Sequence, residues 1–135
     1  LVAMNPGSVQ GFGVIGPDKT PFFGLPGNPV SAYVAFEVFV RPALRRMIGV
    51  EPISRPVVRA RLGERVISPA GMRSYVRAWL AVEDGAYVVR PVGGTGAHMS
   101  AALAQANSLI VVPEDGIVGE PGEPASVVML ERRQH

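Results

Sequence analysis

The stretch Pro21-Phe22-Phe23-Gly24-Leu25-Pro26-Gly27-Asn28-Pro29-Val30-Ser31 decides how the opening part of this chain folds. Its apolar run, Phe22 to Leu25, reads as a strand. Pro26-Gly27-Asn28-Pro29 suits neither strand nor helix interior and reads as a turn. From Val30 to about Ile48 the chain is strongly apolar and contains no glycine, the pattern of a helix buried on more than one face. Asn28 suits the N-cap, where its side-chain oxygen accepts from a first-turn amide. Pro29 suits the first helical position, where its missing N–H costs nothing. Ser31 then stands in the first helical turn. A glycine turn entering a helix N-terminus, with a hydroxyl beside it, is an arrangement suited to a bound anion. It is equally a corner that many α/β proteins carry without binding anything there.

Upstream of this stretch, Leu1 to Met4 and Gln10 to Ile15 read as strands, with turns at Asn5-Pro6-Gly7-Ser8 and Gly16-Pro17-Asp18-Lys19. Within the helix, Glu37, Arg41 and Arg45 recur at i, i+4 spacing and predict a single wet stripe. Pro42 predicts a kink or the start of a second helix, because it removes a donor and crowds the preceding turn. Gly49 to Pro56 reads as a linker, which divides the chain into residues 1–53 and 54–135. Beyond it the periodicity is that of strands. Pro56 to Leu62 alternates polar and apolar; Ser74 to Val82 and Ala86 to Val92 flank the hairpin signal Asp84-Gly85; Leu109 to Val112 and Ser126 to Leu130 complete the set. Met99 to Gln105 reads as one or two helical turns. The expected fold class is a piece of an α/β domain, strands plus one long helix, followed by a small all-β domain. About 50 residues with one helix cannot cover both faces of a parallel sheet. With Leu1 as its first residue, the chain is expected to be a fragment of a larger protein.

Composition narrows the function classes. Of 135 residues, 47% are hydrophobic and 18% charged, which fits a folded globular protein. A net charge of +2 argues for neither a nucleic acid nor a membrane partner. The absence of cysteine excludes thiol catalysis, disulfides and thiolate metal sites. No apolar run approaches the roughly 20 residues that cross a bilayer, and no signal peptide is legible, so a cytosolic location is the expectation. Asp18, Glu37, Asp84, Glu114, Asp115, Glu120 and Glu123 show no metal-ligand spacing, so no metal ligand is assigned in this chain.

The string Gly24 to Ser31, Gly-Leu-Pro-Gly-Asn-Pro-Val-Ser, resembles the signature of the molybdopterin molybdenumtransferases, the MoeA family that includes the E domain of gephyrin. The continuation Phe36 to Leu44 is similar as well. The resemblance implies the end of a molybdopterin-binding α/β domain followed by a β-barrel-like domain. It implies adenylylated molybdopterin and molybdate as substrates, magnesium held by carboxylates upstream of these residues, and a homodimeric enzyme. Gly24, Pro26, Gly27, Asn28, Pro29 and Ser31 would line the substrate pocket. Asn5 and Ser8 resemble the family's strand-end segment, but stand where many members carry lysine, which lightens the positive charge. Gly71-Met72-Arg73-Ser74-Tyr75-Val76-Arg77 resembles a strand-head pattern of the last domain; Arg73 would bind oxyanion and Arg77 serve structure. The loop Gly94 to Ser100, followed by Ala106-Asn107, resembles another family segment, with Ser100 as a second oxyanion ligand and Thr95 as its substitute. The catalytic set implied is Ser31, Arg73 and Ser100, acting by positioning and charge neutralisation, and the fragment alone is expected to be inactive. The alternative reading is a dimerisation or partner-interaction module without catalysis in this chain.

Overall fold

The computed structural model describes residues 4–5, 11–25, 29–68, 71–92, 106–115 and 118–130. They fall in two compact units, Leu1–Ser54 and Arg55–His135.

In the first unit, Gly16 and Lys19 both take positive φ (75° and 52°), and the Lys19 N–H donates to the Gly16 carbonyl at 3.1 Å. That turn joins strand β2 (Gly11–Ile15) to β3 (Thr20–Gly24) as an antiparallel hairpin, in a register that sets Gly11 opposite Gly24 and Phe12 opposite Phe23. A two-residue strand, β1 (Met4–Asn5), precedes them. The helix opens at Pro29 as α1 (Pro29–Ala35), widens into a π-helical turn over Phe36–Val40, and resumes as α2 (Arg41–Met47). As expected of Pro42, a new α-helical segment begins there with the proline in its first turn; the turn before it is widened, and the Arg41 N–H reaches back five residues to the Phe36 carbonyl. The end is a Schellman closure: Gly49, at φ 73°, donates to the Arg46 carbonyl at 3.2 Å, and Val50 donates to the Arg45 carbonyl at 2.9 Å.

The expected wet stripe is not found. Glu37 is buried and engaged by neighbouring groups, whereas Phe36, Phe39, Leu44 and Met47 are exposed. A π turn adds one residue to the helix and rotates the later side chains by about 100°, so a spacing counted in α-helical turns no longer marks one face.

The second unit is a closed mixed barrel. Strands β4 (Val57–Leu62), β6 (Arg73–Glu83), β7 (Ala86–Pro91), β8 (Ser108–Val112) and β10 (Pro124–Met129) pair in the cyclic order β6-β7-β4-β10-β8 and back to β6. Four of the pairings are antiparallel and one, β4 with β7, is parallel. Short strands β5 (Val66–Ile67) and β9 (Val118–Gly119) pair apart from the barrel sheet. Asp84 and Gly85, both at positive φ, form the tight β6–β7 hairpin turn. Alternation directs Ala60 and Leu62 of β4, Ala78 and Leu80 of β6, Val89, Ile110 and Val127 into one core, while Arg59 and Arg61 remain exposed.

Candidate functional site

Arg73 owes its position to the glycine two residues before it. Gly71 adopts φ 79°, a conformation that strains any residue with a Cβ, and its N–H donates to the Glu114 carbonyl at 3.0 Å. This pins the entry of β6 to the segment after β8 and leaves the Arg73 side chain exposed at the strand head. There it lines a groove of about 310 Å³. Its apolar walls are Leu62, Val66, Ile110, Val112 and Ala125; its polar members besides Arg73 are Arg59 of β4, Ser126 of β10 and Glu123. Glu123 is held in place through its backbone, whose carbonyl accepts from the Leu62 N–H at 2.9 Å.

Two other arginines of the barrel are held in ion pairs. Arg65 Nε lies 3.2 Å from Glu120 Oε1, and Arg90 Nη1 lies 2.7 Å from Glu83 Oε1. Arg55 donates to the Leu130 carbonyl, and Arg77 is engaged by neighbouring groups. Hydrogen bonding from Arg90 holds the Glu83 carboxyl below its ordinary pKa, and the same bond raises Arg90. Arg73, Arg59 and Arg61 form no ion pair among the described residues, and of these Arg73 and Arg59 line the groove. An uncompensated guanidinium on an open groove can grip a tetrahedral oxyanion through two parallel N–H bonds.

The other sequence-derived candidates fall in three places. Gly24 ends β3, and Ser31 is the third residue of α1, half-buried and engaged by a neighbouring group. Asn5 lies in β1 and Pro29 is the first residue of α1. Ser8, Pro26, Gly27, Asn28, Thr95 and Ser100 lie outside the described residues. Gly24 shares the first unit with a mainly apolar cavity of about 400 Å³, lined by Gly11, Phe12, Phe23, Leu25, Phe39 and Ala43 besides Gly24 itself. Its Phe12 and Phe23 rings meet at 5.2 Å with an interplanar angle of 56°. None of these lining residues is titratable.

Sequence reading missed Arg59 and Ser126. Alternation marks Arg59 as outward-facing, but its arrival beside Ser126, 67 positions away, and in one groove with Arg73, depends on how the barrel closes. Among the described residues no group of three or more His, Cys, Asp or Glu could hold a metal ion. Nor is any described helix long and apolar enough to cross a membrane.

Comparison with known proteins places both units. Residues 59–130 match the MoeA C-terminal region (domain IV), and residues 1–46 match a probable molybdopterin binding domain. Molybdopterin molybdenumtransferase 1 of Mycobacterium tuberculosis is 45% identical over 134 residues, covering 96% of this chain and 32% of the relative. The Staphylococcus aureus molybdopterin molybdenumtransferase is 28% identical over 130 residues, 96% of this chain and 30% of the relative. The crystal structure of the molybdopterin biosynthesis MoeA protein from Pyrococcus horikoshii superposes with a TM-score of 0.76 at 26% identity, covering 94% of this chain and 31% of that one. A molybdenum cofactor biosynthesis protein from Pyrococcus furiosus gives 0.75 at 28% identity, over 94% and 42%. The chain spans about a third of the length of the curated relatives it matches.

Proposed function

This chain belongs to the MoeA family of molybdopterin molybdenumtransferases, and we propose that it supplies an oxyanion-binding part of the enzyme that inserts molybdenum from molybdate into adenylylated molybdopterin. The observation that carries the reading is Arg73, an exposed guanidinium without an ion pair among the described residues, at the edge of a groove of ligand size. Arg73 binds the oxyanion in a fork of two N–H bonds. Ser31 and Ser100 each offer a hydroxyl to an anionic substrate. Gly24, Pro26, Gly27, Asn28 and Pro29 contact the substrate, and Asn5 and Ser8 contribute polar but uncharged contacts. Catalysis on this account is positioning and charge neutralisation, with no covalent intermediate on the protein.

A homodimeric enzyme in the cytoplasm goes with this reading. So does a magnesium ion held by carboxylates other than those described. The chain by itself is expected to be inactive, and detectable molybdenum insertion by the isolated 135 residues would contradict that. In a complete transferase carrying this sequence, Arg73→Ala is expected to lower the insertion rate about tenfold or more while leaving sedimentation unchanged. Altered assembly at an unchanged rate per dimer would favour the partner-interaction reading instead.

A further inference from the structure

We propose that Arg59 and Ser126 form a second anion subsite in the groove that holds Arg73, and that it takes the phosphate of a phosphate ester. The inference rests on the reading of this groove as the place where the enzyme's anionic substrates bind.

Arg59 and Ser126 are register partners on β4 and β10, and Arg59 Nη1 donates to Ser126 Oγ at 2.8 Å. That bond uses one of the five guanidinium donors and restricts the side chain, so less freedom is lost when an anion arrives. Because Ser126 Oγ accepts from Arg59, its own proton remains available to donate. Arg59 and the hydroxyl it holds thus present adjacent donors suited to two phosphate oxygens. Neither Arg59 nor Arg73 has a carboxylate partner among the described residues, and the same holds for Arg61, which lies outside the groove. Two guanidinium groups against the single carboxylate of Glu123 leave the groove lining with a surplus positive charge that favours an anion.

Size decides between a bare anion and an ester. A groove of about 310 Å³ exceeds what one tetrahedral anion fills. Val111, Val112, Pro113 and Pro124 give the remainder an apolar surface suited to an organic group, and Glu123 can accept from its hydroxyl or amino donors.

Calorimetric titration of the 135-residue chain with AMP, and separately with inorganic phosphate, tests this. AMP is expected to bind about tenfold more tightly than phosphate, with amide shifts at Val111 and Ser126 in a parallel NMR titration. Arg59→Gln is expected to weaken AMP about tenfold, and Ser126→Ala several-fold. Arg61→Gln, an exposed charge on the same strand that does not line the groove, should change it less than about twofold. Absence of AMP binding, equal affinity for AMP and phosphate, or an Arg59→Gln chain that binds as the parent would each overturn the subsite. Molybdate titrated into Arg73→Gln reads the parent proposal separately. Loss there with unchanged AMP binding in Arg59→Gln removes the subsite and keeps the Arg73 assignment; the reverse pattern does the opposite.

Discussion

Asn107 pairs with Leu80 as a strand would: its Oδ1 accepts from the Leu80 N–H at 2.7 Å, and its Nδ2 donates to the Leu80 carbonyl at 3.0 Å. The backbone pairing of β6 with β8 ends at Ala78 opposite Ser108, where Asn107 N–H and Ser108 Oγ both donate to the Ala78 carbonyl. Beyond that point a single side-chain amide satisfies the next backbone group on that side of β6. The Asn107 carbonyl meanwhile accepts from Leu130 N–H at 2.9 Å, so one residue ties together three segments of the barrel.

Asn107→Ala leaves a part-buried donor and acceptor on Leu80 without partners. The expected loss is about 2–4 kcal/mol, read as a lower urea midpoint at unchanged slope. Asn107→Asp keeps the acceptor but sets a carboxylate against the Leu80 carbonyl, and should be at least as destabilising.

Gly63 lies under Arg90. A Cβ at position 63 would stand 2.7 Å from Arg90 Nε and 2.8 Å from its Cγ. Gly63→Ala therefore displaces the side chain that binds Glu83 at 2.7 and 3.2 Å. Because the Glu83 pKa is lowered in the folded state, the stability it contributes is present above the ordinary carboxylate range. That contribution fades as pH falls through the lowered value. An NMR titration should show Glu83 below ordinary glutamates in the parent, and back among them in both Gly63→Ala and Arg90→Gln. A low value retained in Arg90→Gln would mean another group sets it.

Ser74 is fully buried, next to Arg73 in β6, and its hydroxyl has no hydrogen-bond partner among the described residues. Ser74→Ala removes an unsatisfied polar group at small volume cost and is expected to stabilise the chain by about 1 kcal/mol. Destabilisation by a similar amount would show that the hydroxyl is satisfied in solution.

Gly71→Ala places a side chain at φ 79° and is expected to cost about 1–2 kcal/mol. Because it disturbs the entry of β6, it should also weaken molybdate binding, though less than removal of Arg73 does.

Much of this architecture is legible in local sequence. Alternation in Val57 to Leu62 separates core residues from outward arginines, Asp84-Gly85 specifies its hairpin, and Pro29 opens the helix. The features that escape a local reading depend on closure or on residue counting. The parallel contact of β4 with β7, and the meeting of Arg59 with Ser126, join residues that no periodicity connects. Strands β5 and β9, two residues each, are too short to show a period. The expected helix stripe fails because a π turn breaks the count between Glu37 and Arg45. In the candidate site, Arg73 is legible through its motif, whereas the second arginine of its groove is not. The turn at Pro26, Gly27 and Asn28 lies outside the described residues.

The most direct test of Arg73 as the oxyanion ligand is molybdate affinity, measured by calorimetry on the parent chain, Arg73→Ala and Arg77→Ala side by side. Arg73→Ala is expected to weaken binding about tenfold or more with little change in melting temperature. Arg77→Ala removes a side chain engaged by its neighbours, and should cost stability more than affinity. Equal affinity of the parent and Arg73→Ala would contradict the assignment.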